Sequence, residues 1–164
     1  MSNRTATLHL ICGKIAAGKS TLACCLASAP TTVLISEDDW LSRLYPGEIA
    51  ALEDYVRCSG RLREAMGPHV EALLRAGLSV VLDFPANTPE RRRWMRGLFE
   101  RAGAAHKLHH LDVSDAVCKA RLRQRNQDGT HVFAASEADF DLFTRYFAPP
   151  PEDEGFDLVV YAEL

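Results

Sequence analysis

The stretch from Gly13 to Thr21 constrains the fold of this chain more than any other part of its sequence. It reads GKIAAGKST and follows directly on the apolar run Leu8–Cys12. It fits the pattern G-x-x-x-x-G-K-[ST], in which glycines permit a tight turn that points successive backbone N–H groups at one anion. A helix-favouring run from Ser20 to Ser28 follows, and its amino end would present a positive dipole to the same anion. The stretch therefore predicts a phosphate-binding loop between a buried strand and a helix.

Individual residues of this loop have separate expected tasks. The side chain of Lys19 can reach the β- and γ-phosphates of a nucleotide, and the Ser20 hydroxyl is suited to ligate Mg²⁺. The residues expected to bind the nucleotide are Gly13, Lys14, Ala16, Ala17, Gly18, Lys19, Ser20 and Thr21. The alternative is a glycine-rich turn that holds no ligand. The apolar strand before the loop and the helix after it favour binding of a nucleoside triphosphate.

Composition and charge narrow the class of protein. A length of 164 residues predicts one domain over residues 1–164 that can bury a core. The formal net charge of −3 gives no general attraction to polyanions, so a polynucleotide substrate would need a local basic patch. The sequence has no signal-peptide core and no apolar run long enough to span a bilayer. The five cysteines are odd in number and form no C-x-x-C pair, which is typical of reduced, mostly buried thiols in a cytoplasmic protein.

Strand and helix patterns alternate along the chain. Strands are predicted at Leu8–Cys12, Thr31–Ser36, Leu78–Leu82, Lys107–Leu111 and Asp157–Tyr161. Helices are predicted at Lys19–Ser28, Arg61–Ala76, Pro89–Ala102, Ser114–Asn126 and Ser136–Phe147. Short helices and loops are expected between residues 39 and 60, and a mobile loop is expected at Asn126–Ala135. This alternation predicts an α/β fold with a parallel sheet covered by helices on both faces.

Ligands of such sheets bind at the carboxyl ends of the strands. That rule places the phosphate loop beside the polar residues that follow the second and third strands. Asp38 is suited to orient and deprotonate an attacking hydroxyl, while the alternative is that acidic residues here cap the next helix, the role expected for Asp39. Asp83 ends the third strand, where it could hold Mg²⁺ through water or bond to a neighbouring turn.

Two arginines are candidates for stabilising a transferring phosphoryl group. Arg121 and Arg125 share one face of a predicted helix, beside the loop at Asn126–Ala135. Planar guanidinium groups carried by a closing loop could neutralise charge that builds on the γ-phosphate. The alternative is that these cations offset the dipole at the carboxyl end of the helix. Arg123 lies on another face and is expected to be solvated.

A run of arginines and a group of histidines are not expected to form functional sites. Arg91, Arg92 and Arg93 resemble a basic patch, but consecutive residues spread around a helix, so a solvated surface is expected. The histidines near the fourth strand are His106, His109 and His110. Adjacent strand residues point to opposite faces, so these histidines are not expected to form a metal site.

Five stretches together carry a resemblance to a known family. They are LICGKIAAGKSTLA, LISEDDWLSRLYP, LSVVLDFPANTPERRRW, RLRQRN and FAPPPEDEGFDLVVY. With them, nearly the whole chain resembles the compact P-loop kinases that phosphorylate a hydroxyl of a non-nucleotide substrate. Relatives of that kind are the kinase domain of polynucleotide kinase, zeta toxin, chloramphenicol phosphotransferase and the bacterial "predicted kinases".

The resemblance implies a nucleoside-kinase-like P-loop NTPase fold, a three-layer sandwich whose five parallel strands have the order 2-3-1-4-5. It also implies ATP and Mg²⁺ as cofactors and a lid at residues 126–135. The first Asp of a similar acidic pair is the base in polynucleotide kinase and matches Asp38, and lid arginines of such kinases match Arg121 and Arg125. Relatives often hold adenine with a loop after the last strand, whereas this sequence ends at Leu164, so the choice between ATP and GTP stays open.

The expected function is that of an ATP-dependent kinase with a small-molecule hydroxyl acceptor. A polynucleotide 5′-hydroxyl kinase is a less favoured alternative, because the chain is acidic and lacks a surface of interleaved aromatic and basic residues. A nucleotide hydrolase or switch without an acceptor is a second alternative, and a toxin-like kinase acting on a nucleotide-sugar is a third. No membrane partner is expected, and the sequence leaves the acceptor's identity and the oligomeric state open.

Overall fold

In the computed structural model of the protein, which describes residues 5–129 and 133–162, five parallel strands form one sheet. The strands are β1 (Thr7–Cys12), β2 (Thr32–Ser36), β3 (Ser79–Pro85), β4 (Ala105–Asp112) and β5 (Leu158–Ala162). Their order in the sheet is β2-β3-β1-β4-β5. This order confirms the one implied by the resemblance.

Helices connect the strands and cover the sheet. They are α1 (Lys19–Ala27), α2 (Glu37–Leu44), α3 (Leu52–Arg75), α4 (Pro89–Ala102), α5 (Asp115–Asp128) and α6 (Glu137–Tyr146), with a short 3₁₀ turn at Glu152–Glu154. None of the helices in the described ranges is long and apolar enough to cross a bilayer.

The start of α3 differs from the sequence prediction. The predicted helix began at Arg61, and short helices and loops were expected before it, but α3 is continuous from Leu52. The prediction rested on Pro46 and Gly47, which lie before this helix, whereas Gly60 lies inside it, where a glycine costs about 1 kcal/mol relative to alanine. That cost is smaller than the gain from continuing the apolar stripe, since Cys58 and Leu62 are both fully buried in the core.

The central strand β1 is buried on both faces. Leu8, Leu10 and Cys12 lie in the main core cluster, which also contains residues of α3 and α4. Ile11 points to the other face, where it packs with Ala23 of α1 and with the neighbouring strand. Strands covered on both faces read as nearly continuous apolar runs, which is why this one could be recognised from sequence.

Most of the predicted helix caps are present. The Thr88 hydroxyl accepts a hydrogen bond from the Arg91 backbone at the start of α4, and Ser136 and Asp139 form a reciprocal capping box at the start of α6. At α2 the cap is Ser36, whose hydroxyl accepts a hydrogen bond from the backbone N–H of Asp39. The prediction that Asp39 caps this helix was therefore wrong, because the helix begins earlier, directly at the end of β2.

The basic run on α4 is mostly not a solvated surface. Arg92 is 0% exposed; its Nε donates to both carboxylate oxygens of Glu154 at 3.0 and 2.9 Å, and Nη1 donates to the carbonyls of Ala86 and Ala148. Arg91 is half-buried, and only Arg93 is exposed. The sequence prediction was wrong because Glu154, in the segment before β5, reaches Arg92, and Glu37 of α2 pairs with Arg91.

Replacing Arg92 should strongly destabilise the protein. In Arg92→Met, the Glu154 carboxylate loses its cation and two carbonyls lose their donor, so we expect the free energy of unfolding to fall by about 3–5 kcal/mol. Urea denaturation measures this change. The matched control is Arg93→Met, at the exposed neighbouring position, which should stay within about 0.5 kcal/mol of the wild type. Equal stability of the two variants would contradict this account.

The histidines of the sheet contact different groups. His9 Nδ1 lies 3.0 Å from His109 Nε2, and His109 Nδ1 lies 2.9 Å from the hydroxyl of Tyr161. The His110 ring instead lies 6.2 Å from that of Phe147. This separation of adjacent residues agrees with the alternation that the sequence predicted for the strand.

His109 should make stability depend on pH. Burial, together with the charges of His9 and Lys107, lowers the pKa of His109 from its ordinary 6.5 to about 4. The unfolded chain therefore takes up this proton first, so stability is lost as pH falls from 6.5 towards 4. We expect the free energy of unfolding to be about 1–2 kcal/mol lower at pH 5 than at pH 7, with a smaller difference in His109→Gln. The exposed His69→Gln variant should keep the wild-type dependence, and the same slope in all three proteins would contradict the assignment.

Candidate active site

A cleft of about 700 Å³ opens along the carboxyl ends of the strands. The phosphate loop lines one side, and the starts of α2 and α4 supply polar groups from the neighbouring strands. Residues of α5, α6 and the start of α3 complete the walls. The structure therefore brings together the loop, Asp38, Asp83, Arg121 and Arg125 in one cleft.

The loop between β1 and α1 is held open by a lysine and an asparagine. Lys19 Nζ donates to the carbonyls of Gly13 and Lys14 at 2.8 and 2.7 Å. Gly13 is also fixed by Asn87, whose Oδ1 accepts from the Gly13 N–H and whose Nδ2 donates to the Gly13 carbonyl, both at 2.9 Å. Gly18 has φ 105°, a conformation that glycine adopts without strain. These bonds fix the turn from within the protein.

Burial and two nearby carboxylates have opposite effects on the pKa of Lys19. Burial lowers the pKa of Lys19, whereas Asp83 and Asp38 act in the opposite direction. An anion in the loop would favour the charged ammonium in the same way as these carboxylates do. The ammonium group of Lys14 does not bond to the loop carbonyls as that of Lys19 does. It pairs with Asp115 at the start of α5.

Ser20 and Asp83 lie next to each other, as a magnesium site requires. The Ser20 hydroxyl donates to Asp83 Oδ2 at 3.2 Å. Within residues 5–129 and 133–162, no group of three or more His, Cys, Asp or Glu side chains could hold a metal ion. Mg²⁺ commonly uses one or two carboxylates together with phosphate oxygens and water. A hydroxyl and a carboxylate beside a phosphate loop therefore fit this ion.

The two neighbouring aspartates of α2 have different surroundings. Asp38 lines the cleft, and its charge acts on both Lys19 and Arg125. Asp39 is exposed and pairs with Arg43 at 3.7 Å. Of this pair, only Asp38 could contact a ligand bound between the loop and α2.

Two arginines of α5 line the cleft, and one of them contacts the loop. Arg121 Nη1 donates to the Ala17 carbonyl at 3.2 Å. The Nε of Arg125 is buried and has no hydrogen-bond partner among the described residues. Burial lowers the pKa of Arg125, and Asp38 opposes this effect. Arg123 is exposed and pairs with Glu137, as expected for the other face of the helix.

The segment expected to form a lid is described only in part. Helix α5 continues to Asp128, Gly129 follows in the left-handed conformation, and residues 130–132 lie outside the described residues. Asn126 Nδ2 donates to the Ala135 carbonyl at 2.7 Å, which joins the two ends of the segment. Phe133 lines the cleft.

A buried carboxylate in the cleft wall was not predicted as a site residue. Glu37 is 2% exposed, accepts a hydrogen bond from the Tyr55 hydroxyl at 2.8 Å and pairs with Arg91 at 3.2 Å. Burial raises the pKa of Glu37, while Arg91 and the Tyr55 hydrogen bond oppose this effect. Tyr55 lies in the region expected to be loops, and Arg91 in the run expected to be solvated. No local pattern links residues that are 18 and 54 positions apart.

The chain is similar to known proteins in its sequence family and in its fold. The sequence from residue 8 to residue 150 matches the model of a family described as an AAA domain. No curated protein is significantly similar in sequence.

Solved structures of other proteins share the fold. A protein from Chloroflexus aurantiacus, provisionally assigned as a kinase, has a TM-score of 0.76 at 22% identity, covering 96% of this chain and 85% of that one. Kti12 from Chaetomium thermophilum in complex with ADP-AlF3 has a TM-score of 0.73 at 15% identity, covering 94% and 88%. The APS kinase CysC from Mycobacterium tuberculosis, in complex with AMPPNP and APS, has a TM-score of 0.61 at 16% identity, covering 96% and 88%.

These likenesses show that the chain shares its fold with these proteins at low sequence identity. Since the family model covers most of the sequence, the chain belongs to the AAA domain family that this model describes.

Proposed function

We propose that the protein is an ATP-dependent kinase that transfers the γ-phosphoryl group to a hydroxyl of a small molecule. The observation that carries this proposal is the convergence of the Asp38 carboxylate and the Arg125 guanidinium beside Lys19. A nucleotide switch needs no group that takes up the proton of an alcohol. A carboxylate that faces the loop supplies what transfer to an alcohol additionally needs, a group that takes up the alcohol proton.

The chain's own residues would share the reaction as follows. The loop amides and Lys19 would bind the phosphates of ATP, with Arg121 bracing the loop through the Ala17 carbonyl. Asp38 would accept the proton of the acceptor hydroxyl while the oxygen of that hydroxyl forms a bond to the γ-phosphorus. The bond from that phosphorus to the bridging oxygen breaks, which gives ADP and a phosphate monoester. Arg125 would stabilise the charge on the transferring group through its unsatisfied Nε.

Ser20 and Asp83 would hold the Mg²⁺ that accompanies ATP, and this ion would offset the charge of the phosphates. Residues 126–135 would act as the lid, because they join the arginine-bearing helix α5 to α6 in the cleft wall. Closure of such a segment excludes water from the reacting groups.

A transfer screen tests the proposed function. The protein is incubated with Mg²⁺ and ATP labelled at the γ-phosphate, together with pools of metabolites, antibiotics and oligonucleotides. We expect label to appear on a small organic acceptor, and this transfer to be lost in Asp38→Asn. Label released only as inorganic phosphate, at a rate unchanged in Asp38→Asn, would instead identify a hydrolase. Label on oligonucleotide ends, with a steep dependence on salt, would identify a polynucleotide kinase.

Arg125→Ala should lower kcat by about 10²–10³-fold with the acceptor found in that screen. The physical reason is that charge on the γ-phosphoryl oxygens would lose its guanidinium partner. The matched control is Arg123→Ala on the exposed face of the same helix, which should keep the wild-type kcat. Steady-state kinetics measure both variants, and equal rates for the two would contradict the role of Arg125.

A further inference from the structure

The cleft has two chemically different halves. The phosphate half contains the loop with Lys19, Asp83 and the arginines of α5. The acceptor half lies beyond Asp38, between the start of α3 and α6. Its apolar and aromatic lining includes Ile49, Leu52, Tyr55, Leu142 and Phe143.

Large apolar side chains in the acceptor half remain exposed. Leu52 is 41% exposed, Phe143 is 39% exposed and Tyr146 is 66% exposed. Each lines the cleft, so a ligand there would remove apolar surface from water. The rings of Tyr55 and Phe143 pack edge to face, with centroids 6.3 Å apart and planes at 89°. This packing fixes two ring surfaces at the wall, against which a third ring could stack.

The charges of the cleft are distributed unequally between the two halves. The cations that line it among the described residues are Lys14, Lys19, Arg91, Arg121 and Arg125. All except Arg91 belong to the loop or to α5. Arg91, which extends from α4, is already paired with the buried carboxylate of Glu37. A phosphate or carboxylate group on the acceptor would therefore find no unpaired cation in the described part of this half, and it would be repelled by Asp38.

Three polar side chains of the cleft are already bonded within the protein. Tyr55 donates its hydroxyl proton to Glu37, and the amide of Asn87 is bonded to Gly13 on both of its atoms. Asp139 is engaged in the capping box of α6. Recognition of a sugar needs hydrogen-bond partners for its hydroxyls, and polar groups left unpaired in a cleft cost affinity.

Resting on the proposed kinase function, we propose that the acceptor is an uncharged alcohol that carries an aromatic or branched apolar group. The apolar group occupies the acceptor half against Leu52 and Phe143. Its hydroxyl lies towards Asp38, at the boundary with the phosphate half. The product is the phosphate monoester of that alcohol.

The test compares three panels of alcohols of equal number at saturating Mg·ATP. The first contains uncharged alcohols with an aromatic or branched apolar group, the second uncharged polyols, and the third phosphorylated alcohols such as nucleoside 3′-phosphates. Phosphate monoesters are quantified by mass spectrometry, and kcat/KM is determined for the best acceptor of each panel. We expect the highest kcat/KM in the first panel.

Two variants test whether residues of the acceptor half cause the preference for apolar alcohols. Phe143→Ala and Leu52→Ala should each raise the KM for the best acceptor by about tenfold and leave the KM for ATP unchanged. The matched control is Val160→Ala, an exposed apolar residue of β5 outside the cleft, which should change neither constant. The use of two variants keeps the test valid if one of them fails to fold.

The outcomes separate this inference from the function on which it rests. Transfer that depends on Asp38 but is fastest with a polyol or a phosphorylated alcohol would overturn the acceptor class and leave the kinase proposal standing. An unchanged KM in both folded variants would also overturn it. Acceptor phosphorylation in none of the three panels would overturn the kinase proposal, and the acceptor class with it.

Discussion

Lys19→Ala is expected to abolish binding and turnover of Mg·ATP, with kcat/KM reduced by about 10³-fold or more. The Lys19 ammonium now bonds to two carbonyls of the loop, and in the complex it would reach the β- and γ-phosphates. The variant loses this charge, and it also loses the bonds that fix the turn. Release of ADP in a coupled assay measures the turnover.

A second lysine serves as the control for this substitution. Lys107 is an exposed residue of β4 and does not line the cleft. Lys107→Ala should therefore keep the wild-type turnover. Nucleotide turnover that survives in Lys19→Ala would show that the loop does not hold the phosphates.

Asp38→Asn is expected to lower kcat for acceptor phosphorylation by about 10²–10⁴-fold and to spare nucleotide binding. An amide cannot take up the hydroxyl proton, but it has nearly the same size and leaves the loop intact. Single-turnover transfer of labelled phosphate measures the chemical step, and the affinity for an ATP analogue is measured separately.

Asp39 provides a closely matched control. It follows Asp38 directly in α2, but it is exposed and pairs with Arg43. Asp39→Asn should keep the wild-type kcat. If Asp38→Asn retained full transfer, or if Asp39→Asn were the slow variant, the assignment of the base would be wrong.

The parts of the fold that could be predicted from sequence are those encoded locally. The phosphate loop is a contiguous motif, and the caps at Thr88 and Ser136 involve residues within one helical turn. The strand β1 is buried on both faces, so its apolar run is unbroken. The sheet order came from the resemblance and was confirmed, whereas local patterns indicate only that the strands are parallel.

The features that escaped prediction depend on distant parts of the chain. Arg92 is buried because Glu154 and the carbonyl of Ala148 reach it from the far end of the sequence. The sequence prediction placed this arginine on the surface because three consecutive residues spread around a helix. The contacts of Glu37 also depend on distant parts of the chain, because its partners lie in two other helices. Side chains of this kind are found only when the packing of the elements is known.

Isothermal titration calorimetry with Mg²⁺ and AMPPNP tests the central claim, that the loop at Gly13–Thr21 binds a nucleoside triphosphate for transfer. The account predicts saturable binding at one site in the wild type and in Asp38→Asn, and none in Lys19→Ala. Absence of binding to the wild-type protein, or binding of equal strength to folded Lys19→Ala, would contradict it.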